Sequence, residues 1–316
     1  MNEQQTSQDK NALSIPISIV IIVALVVVGG GILLFGKGKS APADNSSSNN
    51  LYPEQAITHG HGLAVDVKDG SKLYIATHHG LLLLQNEKDL YRVGKSKDDY
   101  MGFSPHPTEA NIFFSSGHPS LGGNIGFQKS EDSGVTWKKV SNGANGPVDF
   151  HAMAVSPVNS NLVYGWYQGN LQRSTDQGKT WEIVNRELLP VYLAADTKDE
   201  NIVYAATPQG QGVIISRDKG TSWSSLSSEL EGGAVSVIAV HSKDAKILFV
   251  FSEKLGGLGK STDQGKTWQK VNEVFGGDTI LRIAIDSNNP AVVYVLTHEN
   301  KLYKSIDTGG TWTQIR

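Results

Sequence analysis

One eight-residue pattern, Ser-x-Asp-x-Gly-x-Thr/Ser-Trp, occurs five times in this chain of 316 residues. The copies begin at Ser130, Ser174, Ser216, Ser261 and Ser305, so successive copies start 44, 42, 45 and 44 residues apart. A fixed period in the forties is typical of propellers and other repeat arrays, in which each repeat is one supersecondary unit. The spacing therefore predicts a repeat architecture before any single residue is interpreted.

Each repeat contains four short runs rich in Val, Ile, Tyr and Phe, bounded by turn residues, which is the pattern of β-strands. In the third repeat these runs are FHAMAVSP, NLVYGWYQ, GNLQRSTDQG and TWEIV. The same alignment reveals a further repeat, Gly60 to Gly94, in which NEKD (Asn86 to Asp89) replaces the eight-residue pattern. We therefore predict an all-β fold over residues 51–316, a six-bladed β-propeller of four-stranded antiparallel blades around a central channel.

The sequence before the propeller predicts a membrane anchor. Residues 1–16 form a short tail, and residues 17–35 read ISIVIIVALVVVGGGILLF, long enough for a transmembrane helix across a hydrocarbon core of about 30 Å. Residues 36–50, rich in Ser and Asn, are predicted to be a flexible linker. We expect a single-pass anchor or uncleaved signal in the cell membrane, with the propeller on the extracytoplasmic side. The alternative is secretion after cleavage near Ala43.

Composition excludes several classes of function. The chain has no cysteine, which rules out disulfides, thiol catalysis and Cys-ligated zinc. Its formal net charge is -3 and its lysines are scattered, so no nucleic-acid partner is expected.

The repeated pattern resembles the BNR or Asp-box repeat, found in a family that includes sialidases, the sortilin-type ectodomain and bacterial exported proteins labelled glycosyl hydrolase. The resemblance covers residues 60–316 and is specific for the repeat rather than for an activity. We interpret the aspartates and tryptophans of the pattern as structural, because a carboxylate can accept N–H groups in a turn and an indole can pack as an apolar wedge. These residues are Asp132, Asp176, Asp218, Asp263, Asp307, Trp137, Trp181, Trp223, Trp268 and Trp312.

Histidines are predicted to cluster at one end of the channel. The turn before the first strand of a blade and the turn after its second strand open on the same face, and seven of the nine histidines map there. His61, Met101 and His151 hold equivalent positions at the start of the first strands of blades one to three. Imidazoles suit zinc or copper and an added thioether suits copper, so a transition metal, copper or zinc, is the expected cofactor. The alternative is that these histidines have no ligand and, as is common at strand ends, bond to backbone carbonyls or face water.

The candidate metal or ligand residues at this mouth are His59, His61, His78, His79, Met101, His118 and His151. The carboxylates expected to ligate the ion or to orient an imidazole are Asp99, Asp149 and Glu299.

Three classes of function remain open. The preferred one is a membrane-anchored propeller, without sialidase activity, that binds a metal ion or small ligand at the His-rich mouth. A glycoside hydrolase-like enzyme would need two channel carboxylates, with Asp149, Glu253 and Glu299 as candidates. A sortilin-like scaffold would bind a protein partner and needs no channel chemistry. True sialidase activity is not expected, because that chemistry needs three converging arginines, whereas only Arg282 of the chain's six begins a first strand and the family's N-terminal arginine motif is absent.

Overall fold

The computed structural model describes residues 50–271 and 274–316. Their strands form six antiparallel sheets that follow one another along the chain, which confirms the predicted six-bladed β-propeller. The predicted anchor at residues 17–35 and most of the linker lie outside the described residues and stay predictions. Among residues 50–271 and 274–316, no helix combines the length and the apolar character that crossing a bilayer requires.

The blades are numbered in chain order. Blade one contains β1 (Leu51–Pro53), β2 (Gly60–Val65), β3 (Lys72–Thr77), β4 (Gly80–Gln85) and β5 (Asp89–Val93). Blade two contains β6 (Asp99–Pro105), β7 (Phe113–His118), β8 (Phe127–Ser130) and β9 (Lys138–Ser141). Blade three contains β10 (Ala152–Val155), β11 (Val163–Tyr167), β12 (Asn170–Ser174) and β13 (Glu182–Asn185).

The second half of the ring has the same order. Blade four contains β14 (Tyr192–Ala195), β15 (Val203–Ala206), β16 (Val213–Ser216) and β17 (Ser224–Ser225), followed by a single turn of 3-10 helix at Ser228–Leu230. Blade five contains β18 (Val235–Val240), β19 (Leu248–Ser252), β20 (Gly257–Ser261) and β21 (Gln269–Lys270). Blade six contains β22 (Ile280–Ile285), β23 (Val293–Thr297), β24 (Leu302–Ser305) and β25 (Thr313–Gln314).

Blade one differs from the prediction, because it has five strands rather than four. Leu51–Pro53 forms β1, which pairs antiparallel with β5 at the outer edge of the blade. The extra strand covers hydrogen-bonding groups that an edge strand would otherwise expose to solvent.

The core is divided into six apolar layers, one between each pair of neighbouring blades. Successive side chains of a strand point to opposite faces, so each blade contributes to the layer on either side. Ala152 and Ala154 pack toward blade four, while Met153 and Val155 pack toward blade two.

Packing of blade six against blade one closes the ring. Their shared layer contains Leu73 and Ile75 from blade one and Tyr294 and Leu296 from blade six. Polar contacts cross the same seam: the Asn288 side chain donates to the Val67 carbonyl at 3.0 Å, and Lys304 forms an ion pair with Glu87. Glu87 belongs to the NEKD turn, so the one repeat without the eight-residue pattern uses its turn for closure.

Each copy of the eight-residue pattern is a turn held by its own side chains. In the second copy, the Ser174 hydroxyl donates to Asp176 Oδ1 and accepts from the Gly178 N–H, both at 2.8 Å. Thr180 donates its N–H to Asp176 Oδ1 at 2.8 Å and its hydroxyl to Oδ2 at 2.6 Å. The Trp181 indole N–H donates to the Gly178 carbonyl at 2.9 Å, and Gly178 has a φ of +80°, which favours glycine.

The other four copies repeat the Ser–Asp, Gly–Ser and Thr/Ser–Asp bonds. Hydrogen bonds donated by the residue four positions later lower the pKa of Asp218, Asp263 and Asp307 to about 2. The carboxylates therefore stay ionised at neutral pH, and both of their oxygens are occupied inside the turn.

We expect Asp176→Ala to lower the free energy of unfolding by about 1–3 kcal/mol, because the substitution leaves the Ser174 and Thr180 donors of a tight turn without their acceptor. Chemical denaturation followed by tryptophan fluorescence measures the change. Asp89→Ala is the matched control, since Asp89 is exposed and its carboxylate bonds to no described residue. Equal stability of the two variants would contradict a structural role for the turn.

Candidate metal centre

The innermost strands that surround the channel are irregular near their starts. Pairing shifts by a residue or more between Gly60 and Gly62, between Asp99 and Gly102, between Val235 and Val237, and between Ile280 and Arg282. Such β-bulges bend a strand and redirect the side chain of the extra residue. The skipped positions include His61 and Met101, two of the three residues predicted to be equivalent.

A glycine makes room for the bulge in blade two. A Cβ at Gly117 would lie 1.9 Å from the carbonyl oxygen of Asp99, and Gly117 has a φ of +150°. Because no other residue fits there, β7 passes close to the bulged β6 and sets Asp99 directly opposite His118. Local backbone geometry thus places two of the candidate residues at facing positions of neighbouring strands.

The first cluster, which we call triad one, consists of His61, His78 and Asp99. One ligand atom from each residue can be chosen so that all three lie within 4.8 Å of one another. The Nδ1 atom of His78 contacts Asp99 Oδ2, and the imidazole rings of His61 and His78 are 4.1 Å apart between centroids. His78 reaches this position from the two-residue turn that joins β3 to β4.

The second cluster, triad two, consists of His118, Asp149 and His151, whose ligand atoms also lie within 4.8 Å of one another. The Nε2 atoms of His118 and His151 approach the same carboxylate oxygen, Asp149 Oδ2, at 2.9 and 2.7 Å. The Asp149 side chain is only 4% exposed, whereas the two imidazoles are partly open to solvent. Triad two therefore has a buried anionic centre with an accessible rim.

The protonation pattern of His118 is constrained by its second nitrogen. Its Nδ1 lies 2.7 Å from the Gly123 carbonyl oxygen, a contact that requires an N–H at Nδ1. A neutral His118 then presents the lone pair of Nε2 to the carboxylate of Asp149. Two acceptors at this separation repel unless a proton or another cation lies between them. Bonding of Nδ1–H to a backbone carbonyl is also the usual arrangement of a metal-ligating histidine.

Three buried polar atoms in the two triads have no protein partner among the described residues. These atoms are His61 Nε2, Asp99 Oδ1 and Asp149 Oδ1. Buried polar groups are almost always satisfied, and an unsatisfied one costs about 1–3 kcal/mol. Four more such atoms lie elsewhere among the described residues, on Gln128, Trp137, Tyr164 and Ser252. The three in the triads differ from these in lying together at one end of the channel, where a single ligand would reach them.

The pKa shifts of His61 and His151 have opposite directions. Burial lowers the pKa of His61 to about 2, with further lowering by Arg282 and the neighbouring imidazoles, so His61 is a neutral donor at physiological pH. Burial also lowers the pKa of His151, but the hydrogen bond and charge of Asp149, together with the charge of Asp99, outweigh burial and raise it overall. Because Asp99 of triad one acts on His151 of triad two, the triads lie within electrostatic reach of each other.

Two cavities adjoin the triads. The larger, about 590 Å³, is an open cleft lined by His78, His79, Lys97, Asp99, His118, Pro119, Ser120 and Gly122. The smaller, about 30 Å³, lies in the channel and is lined by residues of the innermost strands, including His61, Met101, His151, Met153, Tyr192 and Arg282. A small molecule fits the cleft, whereas the channel cavity has room for one water molecule or ion.

The remaining candidates lie at different distances from the triads. The rings of His59 and His79 are 5.2 and 6.4 Å from the ring of His78, so both stand beside triad one. Glu299 belongs to neither triad and forms an exposed ion pair with Lys301 at 2.6 Å. Asp99 and Asp149, proposed from the sequence as ligating or orienting groups, are members of the triads themselves.

The structure adds channel residues that the strand pattern could not orient. Arg282 lines the channel, where its guanidinium donates to the carbonyls of His61 and Leu281 and lies 5.4 Å from the centroid of the Tyr192 ring. The alternation of side chains along the strand does not predict the direction of Arg282, because the bulge in β22 shifts the register just before this residue. Met153, expected to be core, packs in the layer toward blade two and also lines the channel cavity.

Two family models match parts of the chain. The BNR/Asp-box repeat matches residues 172–182, within a ring that carries five such turns, and the model described as "Sortilin, neurotensin receptor 3" matches residues 256–316. The chain is a six-bladed propeller with five Asp-box turns, one of which the BNR model matches. These repeats describe the scaffold and do not specify the chemistry at the channel mouth.

Solved structures with the same fold have diverse descriptions. The propeller is similar to a GH74 xyloglucanase from Xanthomonas campestris, with 18% identity, a TM-score of 0.58, and coverage of 82% of this chain and 46% of the enzyme. It is also similar to YCF48 from Cyanidioschyzon merolae, with 15% identity, a TM-score of 0.53, and coverage of 84% and 87%. At these identities the likeness shows the fold alone.

One sequence relative is more similar over a shorter stretch. The xyloglucanase Xgh74A of Acetivibrio thermocellus is 34% identical over 100 residues, an alignment that covers 24% of this chain and 12% of the enzyme. The propeller therefore spans only a small part of this relative, and less than half the length of the similar Xanthomonas enzyme.

We expect Asp149→Asn to lower the pKa of His151 below its ordinary value. The Asp149 carboxylate opposes the effect of burial in the native protein, and the amide would leave burial dominant. Titration of the metal-free protein by NMR, with the imidazole nitrogens observed, measures the shift. Glu299→Gln is the control, because its ion pair with Lys301 lies outside both triads. An unchanged His151 pKa in Asp149→Asn would contradict the assigned contact.

Proposed function

We propose that this propeller binds a divalent transition-metal ion at its channel mouth through the two histidine–aspartate triads. The observation that carries the proposal is the convergence of His118 Nε2 and His151 Nε2 on one oxygen of Asp149, while Nδ1 of His118 bonds to a backbone carbonyl. A metal ion would replace the protons that otherwise join these atoms, and the two imidazoles and the carboxylate would coordinate it.

The composition of the triads selects the class of metal. Imidazole nitrogen with carboxylate oxygen suits Zn²⁺ and Cu²⁺, whereas Mg²⁺ and Ca²⁺ prefer oxygen ligands alone. Asp99 and Asp149 supply two negative charges that a divalent ion would offset. His61 is neutral because of its lowered pKa, so it can donate to a metal without first losing a proton.

Each triad supplies three protein ligands, which leaves a tetrahedral ion one open position. The cleft of about 590 Å³ borders His78, Asp99 and His118, so an exogenous group could reach that position from solvent. This arrangement suits a protein that captures, carries or presents a metal ion together with a small ligand.

We expect the full chain, kept in solution with a non-ionic detergent, to bind Zn²⁺ or Cu²⁺ with one ion at each triad, as measured by isothermal titration calorimetry. The double variant Asp99→Asn with Asp149→Asn should weaken binding by about 10–100-fold or more, since both anionic ligands are lost.

Binding should also weaken as the pH falls, and the loss of affinity should begin above the ordinary pKa of histidine, because the raised pKa of His151 lets protons compete with the metal at a higher pH.

The control is His298→Ala, which removes an exposed histidine that belongs to neither triad. It should bind metal like the native protein. A native chain that retains no metal after loading and desalting would refute the proposal, as would a double Asp variant with native affinity.

The likeness to a xyloglucanase favours glycan binding or hydrolysis as a second candidate function. Of the carboxylates considered from the sequence, Glu253 accepts a bond from the Ala234 N–H at 3.2 Å and Glu299 is paired with Lys301. Asp99 and Asp149 are therefore the two carboxylates at the mouth that could serve as acid and as base or nucleophile.

We expect the native chain to release reducing ends from xyloglucan and the Asp149→Asn variant to release none. No release by the native chain would exclude hydrolysis of this substrate.

A further inference from the structure

The small channel cavity has a donor set unlike that of the triads. The chain has three methionines, of which Met1 is the first residue, and the other two, Met101 and Met153, both line this cavity. His61 and His151 line it as well. Two thioethers and two imidazoles thus surround a space of about 30 Å³, the size of one water molecule or one ion.

Close packing of the innermost strands brings the thioether of Met153 to this cavity. A Cβ at Gly102 would lie 3.5 Å from the sulfur of Met153 and 2.5 Å from the Phe150 carbonyl oxygen. The absence of a side chain at Gly102 therefore lets blades two and three approach and leaves the sulfur beside the channel. Met101, which precedes Gly102 in β6, lines the same cavity.

The charge on the cavity wall disfavours a divalent ion. Arg282 lines the cavity and is held by the carbonyls of His61 and Leu281, and no carboxylate among residues 50–271 and 274–316 forms an ion pair with it. Coulomb repulsion from the guanidinium is proportional to the charge of a bound ion, so a monovalent ion experiences half the repulsion of a divalent one.

We infer that the channel cavity is a site for a soft monovalent metal ion, Cu(I), held by the sulfurs of Met101 and Met153 and by the imidazoles of His61 and His151. Thioethers select Cu(I) over Zn²⁺ and Cu²⁺, and all four donors are neutral groups. The inference extends the proposed metal function to a second oxidation state. Because His61 and His151 belong to both kinds of site, ions at the channel and at the triads should compete.

The test compares two double variants of the full chain in detergent. Under anaerobic conditions, Cu(I) added as its acetonitrile complex is distributed between the protein and the coloured chelator bicinchoninate. The native chain should withdraw one Cu(I) from the chelator. Met101→Leu with Met153→Leu, which keeps the side chains apolar and of similar volume, should lower Cu(I) affinity by at least about 10-fold and leave Zn²⁺ binding unchanged.

The reciprocal variant, Asp99→Asn with Asp149→Asn, should lose Zn²⁺ affinity and keep Cu(I) affinity. Thermal unfolding of both variants checks that the ring is intact, and sulfur scattering in the copper X-ray absorption spectrum should vanish in the Met variant. Native Cu(I) affinity in that variant, or a native chain that takes up no Cu(I), would overturn the channel site. A native chain that takes up Cu(I) but binds no Zn²⁺ would instead overturn the proposed function of the triads.

Discussion

Blade-to-blade packing is the constraint on which the rest of this molecule depends. Each sheet has two apolar faces, and neither is buried within its own repeat, so six neighbouring layers must form together around the ring. The layer between blades six and one uses residues from the two ends of the propeller chain, and it is supported by the Lys304–Glu87 ion pair. Without this seam both terminal blades would expose an apolar face to solvent.

The same constraint separates scaffold from chemistry. Each eight-residue turn bonds its own carboxylate and hydroxyl groups internally, so the most visible motif of the sequence stabilises the scaffold. Away from these turns, the innermost strands of blades one, two, five and six contain bulges, and a bulge redirects the side chain of its extra residue, such as His61. Three buried atoms without a partner among the described residues lie near the channel mouth, on His61, Asp99 and Asp149.

The electrostatics of the mouth sort possible ligands by charge. Asp99 and Asp149 make the outer part of the site anionic, which suits divalent ions, while Arg282 makes the inner wall cationic. The two sets share His61 and His151, so a metal bound at one set would affect the other.

The sequence alone determined the all-β propeller, the number of blades and the face on which the histidines collect, because a constant period places equivalent residues at equivalent positions. It also aligned His61, Met101 and His151, which in the structure line one channel cavity. It could not determine that His118 and His151 share one oxygen of Asp149, since the His118 contact crosses between blades and both contacts depend on side-chain directions that a period does not encode. Nor could it orient Arg282, because a bulge reverses the simple alternation of a strand and is visible only once the neighbouring strand is in place. The fifth strand of blade one and ring closure through the Glu87 turn likewise emerged only in the tertiary structure.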